Sequence, residues 1–402
     1  MKLLWVKTDF LHPTTRGGQI RSLEMLRRLH SRHEIHYIAF EDPAHPEGVI
    51  RSREYCRLAY PIKHHLPPRH SLSFAGQLIA GLFSPEPVSI RRYRSAAMRE
   101  AITRVVAQGF DRIICDFLTP AVNFPDISQA IVFQHNVESV IWDRYAATAE
   151  SAPARAYLRV QARRMRRFER RICTSAGHVI AVSKLDADNL RQTFGVTRIS
   201  HVATGVDVDF FTPKSAHPKV ADLVFVGSMD WLPNIDGVKF FLNQVWPLIR
   251  RRLPDCSVAV VGRAPTADLT DLARREPRLV VTGTVEDVRP FLWGSTVAIV
   301  PLRIGGGTRL KIYEAMAARI PVVSTTVGAE GLSVSAPGNI RLADTASDFA
   351  NECLDLLTDP EARARIATSA WEMVSTQFSW ESVARHFEGI LESTSRSLGP
   401  GG

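Results

Sequence analysis

Short apolar strands alternate with amphipathic helices along this chain, and the alternation runs its course twice. Leu3 to Val6 reads as a first strand. Gly17 and Gly18 then open a helix through Leu23, Leu26 and Leu29, and Glu34 to Phe40 reads as a second strand. Arg112 to Phe117, Ala130 to His135, His178 to Ser183 and Ile199 to Ala203 follow as strands. The pattern restarts with Asp222 to Gly227, a helix over Ile235 to Arg251, and strands at Ser257 to Gly262, Leu279 to Gly283, Val297 to Pro301 and Pro321 to Thr325. From Ser347 onward the chain is helical by pattern. Such alternation predicts an α/β fold with parallel sheets covered by helices on both faces. Thr212 to Pro218 carries two prolines and no apolar periodicity, so it is expected to link two doubly wound, Rossmann-like domains. The expected domains are 1–212, 219–376 and a C-terminal helix with a loose tail over 377–402. Two such domains facing each other predict a cleft, and ligands of open α/β sheets bind beyond the carboxyl ends of strands.

At 402 residues the chain has room for two domains. Hydrophobic residues make up 45% and charged residues 23%, which excludes fibrous and disordered classes. The net charge of +9 allows nucleic acid, an anionic membrane or anionic small substrates as partners. Eight arginines against one glutamate, Glu169, between Arg155 and Arg171 give seven of these units. Leu158, Ala162, Met165, Phe168 and Ile172 recur there at spacings of three and four, so the span is an amphipathic helix with an arginine face. Its apolar stripe is expected to pack on the first domain, and its basic face suits anionic lipid headgroups. No aromatic interleaving or nucleic-acid motif accompanies the charge, so no nucleic-acid partner is expected. The apolar run after Met1 is too short for a signal-peptide core, and no stretch approaches about 18 apolar residues. The five cysteines are scattered without C-x2-C pairing. A cytoplasmic protein is expected, peripheral on the inner face of the membrane where the basic helix docks.

The chemistry concentrates in Val300 to Thr325, VPLRIGGGTRLKIYEAMAARIPVVST. A strand ends at Pro301, a loop holds Gly305, Gly306 and Gly307, Thr308 is a good N-cap, and Arg309 to Ala318 reads as helix. A glycine loop feeding a helix N-terminus presents unpaired amides to an anion. Arg309 and Lys311 are unfavourable beside the positive end of the helix dipole unless an anion compensates them. Glu314 lies six residues past the cap, roughly 9 Å along the axis. A carboxylate there can accept hydrogen bonds from a ribose while the amides hold a diphosphate.

Strand, glycine loop, Glu314-Ala315-Met316-Ala317-Ala318 and Pro321-Val322-Val323-Ser324-Thr325 together resemble the retaining GT-B glycosyltransferases of the fourth sequence family, the group 1 glycosyl transferases. The resemblance covers nearly the whole chain. Phe225-Val226-Gly227-Ser228 resembles the family's first C-domain strand and turn, and Val260-Val261-Gly262-Arg263 the next strand end. Thr282-Gly283-Thr284-Val285 resembles the loop beside the nucleotide base, and Thr204-Gly205-Val206-Asp207 with Phe210 the segment before the linker. Gly17-Gly18 followed by Arg21 resembles the glycine-rich loop on the phosphate side. The resemblance implies a donor site of Gly17, Gly18, Gly262, Arg263, Val285, Gly306, Gly307, Thr308, Leu310 and Glu314, with Glu314 on the ribose. It also implies that His135, at a carboxyl strand end, meets the donor sugar. Asp116, at another strand end, and Arg21 are weaker acceptor-side candidates. Glu138 is a third; it orients His135, binds acceptor, or only sits in the first turn of the next helix, favoured by the dipole.

Three departures from the family bear on the chemistry. The family's first glutamate falls at Gly306, so sugar recognition differs here or uses backbone. The family's diphosphate-binding arginine and lysine fall at Ser228 and Asn234. Arg309 and Lys311 are expected to supply the missing charge, which makes them catalytic candidates beside His135. Retaining enzymes of the family are implied to use a front-face path, with catalysis by positioning and by stabilising the departing negative charge. The sequence offers no clear Asp-x-Asp metal site, so neither metal nor cofactor is expected. The expected partners are a nucleotide-sugar donor and a glycan or lipid-linked acceptor, in surface polysaccharide or glycolipid assembly. Two rivals share the fold: an epimerase or inverting transferase, and a non-catalytic relative that binds glycan or membrane. Trp380, before the final helix, is expected to be packing.

Overall fold

The structure is a computed structural model and describes residues 1–14, 17–64, 66, 84–149, 151–304 and 309–394. The chain divides into two compact units, one of residues 1–204 with 383–402 and one of residues 205–382. Thr212 to Pro218 therefore lies inside the second unit. Each unit is built on its own parallel sheet.

The first unit holds β1 (Lys2–Val6), β2 (Glu34–Phe40), β3 (Leu58–Ile62), β4 (Arg112–Asp116), β5 (Ile131–Gln134), β6 (His178–Ala181) and β7 (Ile199–His201). Their spatial order is β3-β2-β1-β4-β5-β6-β7, and each neighbouring pair is parallel. β1 is central, with Leu4 opposite His36 on one side and Ile113 on the other. Its four residues Leu3 to Val6 are fully buried, because helices cover both faces of the sheet. Met98, Ile102 and Val105 from the helix Ala96–Val106 and Phe168 and Ile172 from the helix Ala152–Ser175 pack into the same core. Fully burying each such side chain contributes about 1.5–3 kcal/mol. The C-terminal helix, Trp380–Ser393, returns to this unit from Val383 on. There Phe387 packs on Trp5 and Phe133, Arg32 and His33 pair with Glu388, and Arg112 Nε donates to the carbonyl of Leu391 at 2.8 Å.

The second unit holds β8 (Ala221–Val226), β9 (Val258–Val261), β10 (Leu279–Val281), β11 (Ser295–Val300), β12 (Val322–Ser324) and β13 (Arg341–Leu342), in the spatial order β10-β9-β8-β11-β12-β13. All neighbours are again parallel. Both orders are those of the doubly wound dinucleotide-binding architecture. β3 and β13 escape the sequence pattern for physical reasons. β3 is a half-exposed edge strand interrupted by Pro61, and β13 is two residues long. The helix expected over Ile235 to Arg251 starts at Leu232 and widens into a π turn over Phe241–Val245. Pro247 lies just beyond, in the first turn of the segment Trp246–Arg250, and its ring cannot donate to a preceding carbonyl. Trp380 is buried where Gly205 leaves room for its ring; a Cβ on Gly205 would lie 2.5 Å from Trp380 Cε3.

Candidate active site

Each sheet reverses its winding at one point, between β1 and β4 in the first unit and between β8 and β11 in the second. Side chains just beyond the carboxyl ends of those strands are placed to meet a ligand.

In the second unit the helix after β11 runs Leu310–Ala317. This corrects the expected helix of Arg309 to Ala318. Arg309 has an extended backbone (φ −95°, ψ 92°) and occupies the N-cap without making a side-chain cap bond. Gly306, Gly307 and Thr308 lie outside the described residues. Arg309 is 7% exposed and lays its guanidinium over the Trp231 ring, 4.8 Å from the centroid. Lys311 Nζ donates to Asn234 Oδ1 at 3.0 Å and sits 4.2 Å from the Phe225 ring centroid. Asn234 in turn donates to the carbonyl of Ser228 at 2.7 Å. Gly227 makes this approach possible, since a Cβ there would lie 2.5 Å from Lys311 Nζ. Lys311 therefore reaches Asn234, the residue at which the resemblance puts the family's lysine. Burial lowers its ammonium pKa to about 7, aided by Arg309 and opposed by Glu314. Burial raises the Glu314 carboxyl to about 7, opposed by Lys311. Leu310 is half-buried at the start of the same helix.

Gly262 and Arg263 border this cluster. Gly262 (φ 157°) passes so close to the turn after β8 that a Cβ would lie 2.0 Å from the Gly227 carbonyl oxygen. Glycine at 262 is thus demanded by backbone packing. Arg263 is exposed, donates to Ser228 Oγ at 2.9 Å and pairs with Asp230 at 3.0 Å. Val285 lies beyond β10, two strands from β8.

In the first unit, buried Asp116 closes β4 and gathers four partners. Trp5 Nε1 and Ser22 Oγ donate to it at 2.8 and 2.6 Å, Lys7 Nζ pairs with it at 3.1 Å, and His135 Nε2 lies 2.7 Å from Oδ1. Burial opposes its ionisation, but Lys7 and His135 hold its carboxyl far below the usual carboxylate range. His135 is 1% exposed, one residue beyond β5, and stacks on Phe117 with ring centroids 3.9 Å apart. Its Nδ1 faces Arg21 Nη1 at 3.1 Å. Burial lowers the imidazole pKa to about 3, against the opposing pull of Asp116. The ring is therefore neutral, and its contacts assign the proton to Nε2, toward Asp116. Arg21 faces one ring nitrogen and the Asp116 carboxylate the other, and Phe117 stacks on the ring, so His135 is held in place and burial disfavours its protonation. Phe117 holds φ at 77°, which costs a bulky residue about 1–3 kcal/mol and aims its ring at His135 and Gly18. A Cβ on Gly18 would lie 2.7 Å from that ring, so any larger residue would displace Phe117, while Gly17 is exposed at the helix start.

The structure thus brings Gly18, Arg21, Asp116 and His135 together in one unit and Arg309, Leu310, Lys311 and Glu314 together in the other. Glu138 belongs to a different cluster. Its backbone N–H and that of Ser139 donate to Glu169 at 2.7 and 2.9 Å, and Gln134 Nε2 donates there at 2.7 Å. The one acidic residue of the arginine helix is thus a remote N-cap for the helix Glu138–Thr148. Burial, then the charge of Glu169, raises the Glu138 carboxyl to about 7. Sequence reasoning missed Lys7, Ser22, Glu169 and Trp231. A lysine straight after a buried strand and a tryptophan at a helix start were the available signals.

Arg159, Arg163, Arg166, Arg167, Arg170 and Arg171 are exposed on the helix Ala152–Ser175, opposite buried Ala162, Met165, Phe168 and Ile172. No described helix is long and apolar enough to cross a membrane. Among the described residues, no group of three or more His, Cys, Asp or Glu side chains is placed to hold a metal ion.

The family model for Glycosyltransferase Family 4 matches residues 15–210, and that for Glycosyl transferases group 1 matches residues 221–359. The chain belongs to the group 1 glycosyltransferases of the GT-B fold. A GDP-mannose-dependent monoacylated alpha-(1-6)-phosphatidylinositol monomannoside mannosyltransferase of Corynebacterium glutamicum is 25% identical over 252 residues, covering 56% of this chain and 65% of that protein. The matches span between 42% and 65% of the length of the curated relatives. In fold the chain is similar to a sucrose-phosphate synthase from Thermosynechococcus elongatus, with TM-score 0.73 and 16% identity over 98% of each chain. It is also similar to HepE of Anabaena in complex with UDP and glucose, with TM-score 0.66 and 15% identity over 98% of this chain and 100% of that one.

Proposed function

We propose that this protein is a retaining hexosyltransferase that moves a sugar from a nucleotide-diphosphate sugar to a glycan or lipid-linked acceptor. The observation that carries the reading is the pair of partly desolvated cations, Arg309 and Lys311, at a helix N-terminus on the winding reversal of the second sheet. Cations at that end of a helix are unfavourable without an anion. A diphosphate supplies the anion, and Glu314, three residues beyond Lys311 on the same helix, is assigned to the ribose in this reading. Support for the donor class also comes from the named relatives, which act on GDP-mannose or bind UDP and glucose.

In this reading the bond from the anomeric carbon to the leaving phosphate oxygen breaks, and its electron pair stays on that oxygen. Arg309 and Lys311 stabilise the charge that develops there. The acceptor hydroxyl bonds to the same face of the anomeric carbon and passes its proton to the leaving phosphate. A His135 whose protonation is disfavoured by burial fits such a path. No metal or cofactor is required, and turnover should survive a chelator. The exposed arginine stripe suits an anionic membrane surface, where a lipid-linked acceptor of surface polysaccharide or glycolipid assembly would be met. Donor hydrolysis and transfer screened over UDP-, GDP- and ADP-sugars test the proposal, with the anomeric configuration of the product read by NMR. Release from one donor class with retention is expected. Binding without release from any donor would favour a non-catalytic relative.

A further inference from the structure

Two helices begin at the winding reversal of the second sheet, Leu232–Phe240 after β8 and Leu310–Ala317 after β11. Neither N-cap residue caps. Trp231 holds the first position and Arg309 the second, and neither makes a side-chain cap bond. Helix starts favour Ser, Thr, Asp or Asn, whose side chains accept from a free amide of the first turn. These two residues instead contact each other, the Arg309 guanidinium lying 4.8 Å from the Trp231 ring centroid.

Trp231 does not serve the core. It is half-buried, its neighbour Leu232 is 51% exposed, and its described ring contact is with Arg309. The backbone that carries it is held from several sides. Met229 donates to the carbonyl of Arg263, Ser228 Oγ to Asp230 at 2.5 Å, and the amides of Asn234 and Ile235 to the carbonyl of Trp231 at 3.0 and 3.2 Å. The helix behind it is pinned to the end of β11. A Cβ on Gly237 would lie 2.8 Å from the Pro301 carbonyl oxygen, and Arg303 pairs with Asp236 at 2.6 Å. A rigid loop therefore presents an aromatic face to a long, otherwise adaptable arginine. A guanidinium held over an indole face can still turn N–H groups toward oxygens beyond the ring.

Resting on the donor-site reading above, we infer that Trp231 is a positioning residue. It fixes the Arg309 guanidinium by a cation–π contact so that its edge meets the diphosphate of the nucleotide donor. The turn after β8 thus no longer carries the diphosphate cation itself, since Ser228 stands there. It carries the aromatic shelf for a cation supplied by the helix after β11.

The test measures nucleoside mono- and diphosphate affinities by calorimetry over the uridine, guanosine and adenosine series, on the full chain. The variants are Trp231→Phe, Trp231→Leu, Arg309→Gln and the Trp231→Leu/Arg309→Gln double. The expected result is diphosphate affinity weakened about tenfold by Trp231→Leu and within about threefold of wild type for Trp231→Phe, because phenylalanine keeps a π face. Monophosphate affinity of the same base should change far less than diphosphate affinity in Trp231→Leu. Trp231→Leu should also add nothing once Arg309→Gln is present, as expected of two groups acting as one. Equal losses for mono- and diphosphate, additive effects in the double variant, or Trp231→Phe as weak as Trp231→Leu would each overturn the positioning role. Wild-type protein that binds none of the six nucleotides offered (three mono- and three diphosphates) would overturn the donor-site reading itself.

Discussion

Lys311 Nζ reaches Asn234 Oδ1 across 3.0 Å, joining the helix after β11 to the helix after β8. The ammonium thereby occupies the neighbourhood where the family resemblance places a lysine at 234. Lys311→Met should raise the donor KM about 10- to 100-fold, the scale of a lost hydrogen bond to a charged group. The swap Lys311→Asn/Asn234→Lys returns a cation to the same neighbourhood and should recover part of that loss. Steady-state kinetics on both variants check this, and a swap no better than Lys311→Met alone would sink it.

Reversing the charge of Arg309 is a harsher test of the same anion site. Arg309→Glu places a carboxylate at a helix N-cap, where it is favourable for the helix. Folding should therefore survive, while the donor KM rises steeply or turnover disappears. Thermal unfolding and donor titration separate the two effects, and unchanged kinetics would contradict the assignment.

Lys311 and Glu314, both near 7, give the site an opposed pH dependence. In the proposed donor site, diphosphate binding uses the protonated Lys311 ammonium, which is lost as pH rises through 7. In the same proposal, ribose binding uses the ionised Glu314 carboxylate, which is lost as pH falls through 7. kcat/KM for the donor should pass through a maximum near neutrality, and Glu314→Gln should remove the acidic limb. The stability sign is separate. Glu314, with its folded pKa raised from 4.5, holds more protons folded than unfolded between 4.5 and 7, so stability falls as pH rises through that window. Glu314→Gln should flatten that decline in a urea-unfolding series.

Much of this architecture was legible in the sequence, because buried parallel strands such as Leu3 to Val6 and Asp222 to Gly227 are short unbroken apolar runs. What escaped was set by partners far along the chain. Glu169 reads as a stray acid in an arginine face, and only the fold reveals it as the N-cap of the helix at Glu138, 31 residues away. Asp116 and His135 were visible at strand ends. Lys7 and Arg21, which flank them, are buried at 2% and 5% exposure, and charged residues rarely are without partners that the sequence does not display. The start of the helix at Leu310 was misread by one residue, since an arginine at the N-cap is against the usual preference.

The Asp116 network should be more costly to disturb than the donor cations. Asp116→Asn removes the charge that faces Lys7 at 3.1 Å in an interior where both side chains are almost wholly buried. Leaving a buried charge unpaired costs about 3–5 kcal/mol. It also replaces one accepting oxygen by an amide NH2, which can only donate, among groups that donate to Asp116. Urea unfolding should show the loss, and Lys7→Met added to Asp116→Asn should restore part of it by removing the stranded ammonium. Full stability of Asp116→Asn alone would contradict the network.

The arginine helix makes the last prediction. Its exposed residues Arg159, Arg163 and Arg170 fall on one side, away from the apolar stripe, and no ion pair within the described residues involves them. A basic residue near an anionic bilayer contributes about 1 kcal/mol, screened within a Debye length. Replacing all three by glutamine should therefore reduce sedimentation with phosphatidylglycerol vesicles by about two orders of magnitude in partition coefficient. Binding to neutral phosphatidylcholine vesicles should be weak for both proteins, and raised salt should erase the difference. Because these side chains avoid the core, the triple variant should unfold at the wild-type midpoint and bind nucleoside diphosphate as before. Vesicle binding that ignores salt and the three substitutions would assign membrane contact elsewhere on the chain.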